Sequence, residues 1–174
     1  YPFHATHITS IQNISSELEI LSSRVFSTRL KSLANKWKLL SDVPDLQFRG
    51  WNDIPTVSKR IGTNLGNFEK AEYMIWRDPW MTAGSQTFIG SVLKKIGFSE
   101  YLRSSDSKYP TLNSLRIPDP STFYLFSSEP FPFERCIDEL EDLGFNGALV
   151  DGEFFSWFGS RSYRMLSDLM KKAL

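Results

Sequence analysis

The chain has 174 residues, 41% of them hydrophobic and 23% charged, a balance that supports a folded domain and argues against global disorder. Its 20 Lys and Arg equal its 20 Asp and Glu, so no overall field draws it to nucleic acid or to an anionic membrane. The single cysteine, Cys136, excludes an internal disulfide and a multi-cysteine metal site, and no apolar run reaches the roughly 18 residues that span a bilayer.

The chain opens at Tyr1-Pro2-Phe3 without an initiator Met or a signal-peptide pattern, the expectation being a mature protein or a portion of a longer one. His4 and His7 supply two potential metal ligands, too few for a site by themselves. Thr9-Ser10-Ile11-Gln12 reads as a helix start, with Thr9 as N-cap and Gln12 closing a capping box. Apolar residues then recur every three or four positions at Ile11, Ile14, Leu18, Leu21 and Val25, and again at Leu30, Leu33, Trp37 and Leu40. The five-residue step between Val25 and Leu30, amid serines, leaves two readings: one kinked helix, or two helices joined there. A continuous helix over residues 10–40 would be about 45 Å long.

Residues 41–70 are punctuated by Pro44, Gly50, Pro55, Gly62 and Gly66, with room for short helical pieces over 53–61, and read as a connector or insertion. Beyond them the pattern becomes regular. Residues 72–76 read as a strand and 85–96 as a helix ending at Gly97. Residues 111–115 fit a short helix, 122–126 a second strand, and 132–143 a helix with Pro132 in its first position. Residues 147–150 read as a third strand and 160–174 as a closing helix. The last two strands are apolar without alternation, as strands covered on both faces are. Repeated strand-then-helix units predict a three-layer α/β domain with a mostly parallel sheet over residues 71–174.

Right-handed crossovers bring every strand-to-helix loop to one edge of such a sheet, where open α/β folds hold ligands. Three loops are expected there: 77–82, 127–133 and 151–161. Each combines an acid with aromatic rings, the pattern of an apolar surface with a few polar groups. No His follows His7, which excludes a Ser-His-acid or Cys-His system within the α/β part. The segment from Gly84 to Gly90 lacks the Lys and the glycine spacing of a phosphate loop. Asp78, Glu129, Asp151 and Glu153 allow a carbohydrate-active hydrolase built on paired carboxylates, although acids in these positions also cap helices or pair with Arg77 and Arg161. The apolar stripe of the first helical stretch allows a protein-interaction module instead.

The three loops also carry a resemblance. Tyr73-Met74-Ile75-Trp76-Arg77-Asp78-Pro79-Trp80-Met81-Thr82-Ala83-Gly84, then Ser128-Glu129-Pro130-Phe131-Pro132-Phe133, then Val150-Asp151-Gly152-Glu153 through Gly159-Ser160-Arg161 resemble the helical-backbone metal receptor family. These are class III periplasmic binding proteins, the substrate-binding components of ABC importers for cobalamin, haem and iron–siderophores. Thr9-Ser10-Ile11-Gln12-Asn13-Ile14 is similar to the start of the rigid helix joining that family's two lobes. The resemblance implies a division into residues 1–40 (end of a first lobe and inter-lobe backbone helix), 41–70 (connector) and 71–174 (C-terminal ligand-binding lobe). It implies no enzymatic activity and no built-in cofactor. It implies a periplasmic or lipid-anchored extracytoplasmic location, with an ABC-transporter permease as partner.

On this basis the expected ligand-binding residues are Trp76, Arg77, Trp80, Met81, Glu129, Phe131, Glu153, Phe155, Trp157, Phe158 and Arg161. The aromatic faces suit a corrin, a porphyrin or catecholate rings, and Arg77 or Arg161 would meet propionates or an anionic siderophore. The metal would arrive inside its chelate. The pattern departs from the family in lacking a first lobe, so the chain is expected to supply one wall of a cleft and, alone, to bind weakly or not at all. Its helix stripe would then be open to a dimer partner.

Overall fold

The computed structural model describes residues 8–64, 66–114 and 117–173. The first helical stretch takes the second of its two readings. Helix α1 spans Ile11–Val25 and α2 spans Thr28–Asp42. Phe26 between them adopts a left-handed conformation (φ 48°), and Ser27 caps α2 by accepting from the Leu30 amide. A residue at that φ ends a helix, so the apolar stripe cannot continue in phase. The two helices pack along each other instead of forming one rod. The N-cap of α1 is Ser10, not Thr9: its hydroxyl accepts from the Asn13 amide, and the Asn13 side chain accepts from the Ser10 amide at 3.1 Å. Asn13, one residue beyond Gln12, therefore closes the capping box.

The sheet has five strands in the order β1-β5-β4-β2-β3. Strands β2 (Lys70–Trp76), β4 (Thr122–Ser127) and β5 (Gly147–Val150) are parallel neighbours, the three expected from the sequence. Two short strands that the sequence reading lacks close the edges antiparallel. They are β1 (Lys59–Ile61) against β5 and β3 (Met81–Thr82) against β2. Residues 53–61 thus contribute sheet rather than helix, because the Lys59–Ile61 backbone finds its hydrogen-bond partners on β5. The same connector lends the core Trp51, Ile54 and Phe68, with the Trp51 ring stacked on Phe123 at 5.1 Å.

Alternate residues of the central strands feed two separate cores, as the period of a strand requires. Tyr73, Phe123, Leu125, Ala148 and Val150 face the larger one, with α1, α2, α3 (Phe88–Lys95) and α6 (Ser160–Ala173). Met74, Tyr124, Phe126 and Leu149 face the smaller, under Phe133 and Leu140. The helix expected over 132–143 is a 3₁₀ turn, Phe133–Cys136, followed by α4, Ile137–Asp142. Pro132 precedes the turn rather than opening an α-helix. Between β5 and α6 the chain inserts one further short helix, α5 (Gly152–Ser156). Thr111 makes an isolated bridge to Met81 rather than opening a helix, and Leu115 lies outside the described residues.

Trp37 joins these layers. Fully buried on α2, it meets Phe88 of α3 and Tyr163 of α6 edge-on at 5.9 and 5.6 Å, and its indole N–H donates to the Phe158 carbonyl at 3.1 Å. Lys95, only 2% exposed, points its ammonium at the Ser41 and Val43 carbonyls near the end of α2, with the Asp45 carboxylate 3.4 Å away. Those carbonyls have no partners within the helix, so the buried charge and the orphan acceptors satisfy each other.

The β4–β5 pairing depends on one glycine. A Cβ on Gly147 would lie 1.9 Å from the Tyr124 carbonyl oxygen. Gly147→Ala is therefore expected to lower stability by about 2–3 kcal/mol. Urea denaturation should show this as a reduced midpoint at unchanged slope.

Candidate functional site

The carboxyl ends of β2, β4 and β5 lie side by side, and the chain leaves them through the three segments that the sequence singles out. The first is a hairpin turn rather than a strand-to-helix loop, because Met81–Thr82 returns antiparallel on Met74–Trp76. Asp78 holds a left-handed conformation (φ 58°) at its tip. Arg77 reaches away from the tip to Glu139 of α4, with Nη1 donating to Oε2 at 2.7 Å and Nη2 pairing with Oε1. Its guanidinium also lies 5.6 Å from the Trp80 ring centroid and 3.7 Å from the Asp78 carboxylate. Trp80 is half-buried, packing on Phe145 at 5.2 Å and Phe133 at 6.4 Å, and so caps the smaller core. Met81 is half-buried in β3. Trp76, at the end of β2, is 43% exposed.

Ser127, fully buried at the end of β4, ties the second segment down. Its hydroxyl donates to the Glu129 carbonyl, accepts from the Glu129 amide at 3.2 Å, and accepts from Tyr73 Oη of β2 at 3.1 Å. Burial, above all, pushes the Tyr73 phenol well above its ordinary value, so it stays a protonated donor. Phe131 then packs edge-on against Trp76 at 5.6 Å, bringing the first two segments together.

The third segment folds as α5. Asp151 caps it, its side chain accepting from the Glu153 amide at 2.9 Å. The Gly152 amide donates to Ser128 Oγ at 2.9 Å, and a Cβ on Gly152 would sit 2.7 Å from Ser127 Oγ. Gly152 thus permits the close approach of the second and third segments. Glu153 pairs with Arg161, whose other terminal nitrogen is 3.6 Å from Asp151. Trp157, 55% exposed, donates its indole N–H to Glu129 Oε2 at 3.2 Å, a direct link between the two segments.

The expected site residues therefore divide. Trp76, Phe131, Glu129 and Trp157 come together at the edge, with Glu153 and Arg161 beside them on the third segment. Phe155 is corrected: it is fully buried, 5.2 Å from Tyr73, so it supports the site from beneath and offers no ring face to a ligand. Phe158 is half-buried against Phe88. Arg77 and Arg161, expected to meet an anionic ligand, are both held by carboxylates of the chain. Sequence reasoning missed Ser127, Ser128 and Tyr73, which lock the segments together. A serine closing an apolar strand was the available signal for Ser127.

No cluster of three or more His, Cys, Asp and Glu arranged for a metal occurs among the described residues. His4 and His7 lie outside them. At the opposite edge of the sheet a polar hollow of about 400 Å³ has its charges paired, Lys70 with Asp119 at 3.9 Å and Arg103 with Glu72 at 2.7 Å.

No protein-family model and no curated protein sequence matches the chain. Solved structures do. A Listeria monocytogenes ABC-transporter substrate-binding protein shares 16% identity at a TM-score of 0.57, over 96% of this chain and 65% of that one. Staphylococcus aureus IsdE, solved with heme, shares 12% identity at 0.57, over 95% and 66%. A possible iron-binding, periplasmic solute-binding protein of Staphylococcus epidermidis shares 17% at 0.54, over 94% and 62%. The chain shares the α/β fold of about one lobe of these solved structures and spans 62–66% of their length.

The hydrogen bond and charge of Arg77 hold the Glu139 carboxyl below its ordinary range. A carboxylate whose folded pKa is depressed stabilises the fold at neutral pH, and that contribution is lost as pH falls below about 4.3. Glu139→Gln should therefore be less stable than the parent at neutral pH and lose stability less steeply between about pH 5 and pH 3. Thermal melts across that range read the difference.

Proposed function

We propose that this chain is part of a substrate-binding component of an ABC importer for a metal chelate, cobalamin, haem or a ferric siderophore, and supplies one wall of the cleft. One observation carries this reading. The exposed rings Trp76 and Trp157 stand with Phe131 and Glu129 at the carboxyl edge of the parallel strands, braced by buried Tyr73, Ser127 and Phe155. Exposed aromatic rings on a stiff support suit a rigid, largely planar or rounded ligand. Of the solved proteins with this fold described above, one is an ABC-transporter substrate-binding protein, one a possible iron-binding (periplasmic solute-binding) protein, and one was solved with heme.

In this reading α1 and α2 are the element that joins the lobe to a first lobe, residues 71–174 are the C-terminal lobe, and the connector is woven into it through β1 and Trp51. The working location is outside the cytoplasmic membrane and the second partner is the importer's permease. Among the described residues no helix is long and apolar enough to cross a membrane. The protein's role is binding rather than turnover: Asp151 serves as a helix cap and Glu153 as the partner of Arg161, roles that hold the segment in place.

Equilibrium dialysis against cyanocobalamin, hemin and a ferric trihydroxamate tests this. Saturable binding to at least one is expected, weaker than about 1 µM because a single wall buries little of the ligand. It should fall further in a Trp76→Ala, Trp157→Ala double variant whose melting temperature is unchanged. No saturable binding to any of the three, or binding indifferent to that double change, refutes the role. Binding at about 1 µM or tighter refutes the single wall.

A further inference from the structure

Resting on the binding role proposed above, we infer that the loop edge selects a chelate without net negative charge and seats a cationic group of that ligand against Trp157 and the Glu129 carboxylate. The three segments carry two cations, Arg77 and Arg161, against four acids, Asp78, Glu129, Asp151 and Glu153. The next residues along, Glu134 and Arg135, cancel, and the first turn of α4 adds Asp138 and Glu139. Arg164 lies a turn further along α6.

Both arginines in the segments already face carboxylates of the chain, Arg77 largely covered and Arg161 still 65% exposed. Arg77 is held by both oxygens of Glu139, with Asp78 at 3.7 Å and the Trp80 ring against it. Arg161 lies between Asp151 and Glu153. A propionate or catecholate ligand would have to share a guanidinium with those carboxylates, which sets its own charge beside theirs. Like charges placed together in this way disfavour the wrong partner.

Glu129 is the converse case. Among the described residues no Lys or Arg forms an ion pair with it, and its carboxylate accepts one hydrogen bond, from the Trp157 indole. A neutral donor leaves that negative charge uncompensated. The indole itself is 55% exposed, and Trp76 is 43% exposed on the neighbouring segment. Open aromatic faces beside an uncompensated carboxylate attract an ammonium twice over, through the ring quadrupole and through the charge. The same faces accept a neutral chelate with no electrostatic penalty.

Three ferric trihydroxamates sharing one core separate charge from shape: one with a free pendant ammonium, one N-acetylated and neutral, one N-succinylated and anionic. By dialysis at low salt the ammonium form should bind roughly tenfold tighter than the succinylated form, with the acetylated form between them. Glu129→Gln should narrow that gap to about twofold, as added salt should. Equal or tighter binding of the succinylated form, or tighter binding of hemin or a ferric tricatecholate than of all three, overturns the charge selection and leaves the binding role standing. A gap that survives Glu129→Gln overturns the part given to Glu129. No saturable binding of any of these ligands removes the binding role itself, and the charge selection with it.

Discussion

Where β4 runs beside β5, the backbone of Gly147 passes so close to the Tyr124 carbonyl that only a residue without a side chain fits. That contact fixes the register, Tyr124 opposite Gly147 and Ser127 opposite Val150. Because the register is fixed, the two strands finish together, and Ser128 reaches the Val150 carbonyl while Gly152 reaches Ser128. Gly152 is in turn a second place where backbones crowd. The candidate surface thus follows from two close approaches in sequence, one in the sheet and one just above it. Rings held on such a base present a shape set before any ligand arrives, which reduces the entropy lost on binding.

The helices on the larger core support the same arrangement from the side. Trp37 connects α2 to α3, to α6 and, through the Phe158 carbonyl, to the third segment itself. Burying one such aromatic ring is worth about 1.5–3 kcal/mol, more with its hydrogen bond satisfied. Helix pair and loop edge are therefore mechanically connected. Lys95 does the corresponding task at the C-terminal end of α2, where a cation beside spare carbonyls fixes the direction in which the chain departs.

The parallel core was legible because its strands are short, the last two are apolar on both faces, and helix-period patterns alternate with them. The gathering of three aromatic segments at one edge follows from that topology alone. The five-residue step after Val25 left a break between α1 and α2 as one of two readings, and the φ of Phe26 decides it without a glycine to announce it. Other features were hidden, each for a physical reason. Strands β1 and β3, at three and two residues, are too short to show a period and exist through their partners. The partner of Arg77 is Glu139, 62 positions away on an acidic helix, and no spacing rule connects the two. Phe155 carried the same signal as Trp157. Only the packing of α5, which turns one ring inward onto Tyr73 and leaves the other out, distinguishes them.

The two flanking strands have a further effect. An all-parallel sheet of three strands would offer two long rows of unpaired amides and carbonyls to any passing chain. Here both margins are occupied by antiparallel strands of two or three residues, β3 beside a register shift in β2 and β1 trailing a segment rich in glycine and proline. Short, irregular margins make poor templates for strand addition. Extension of the sheet by a strand from another chain is thereby disfavoured. Apolar exposure is found instead on the helix pair and its junction, at Ile20, Val25, Phe26 and Leu39.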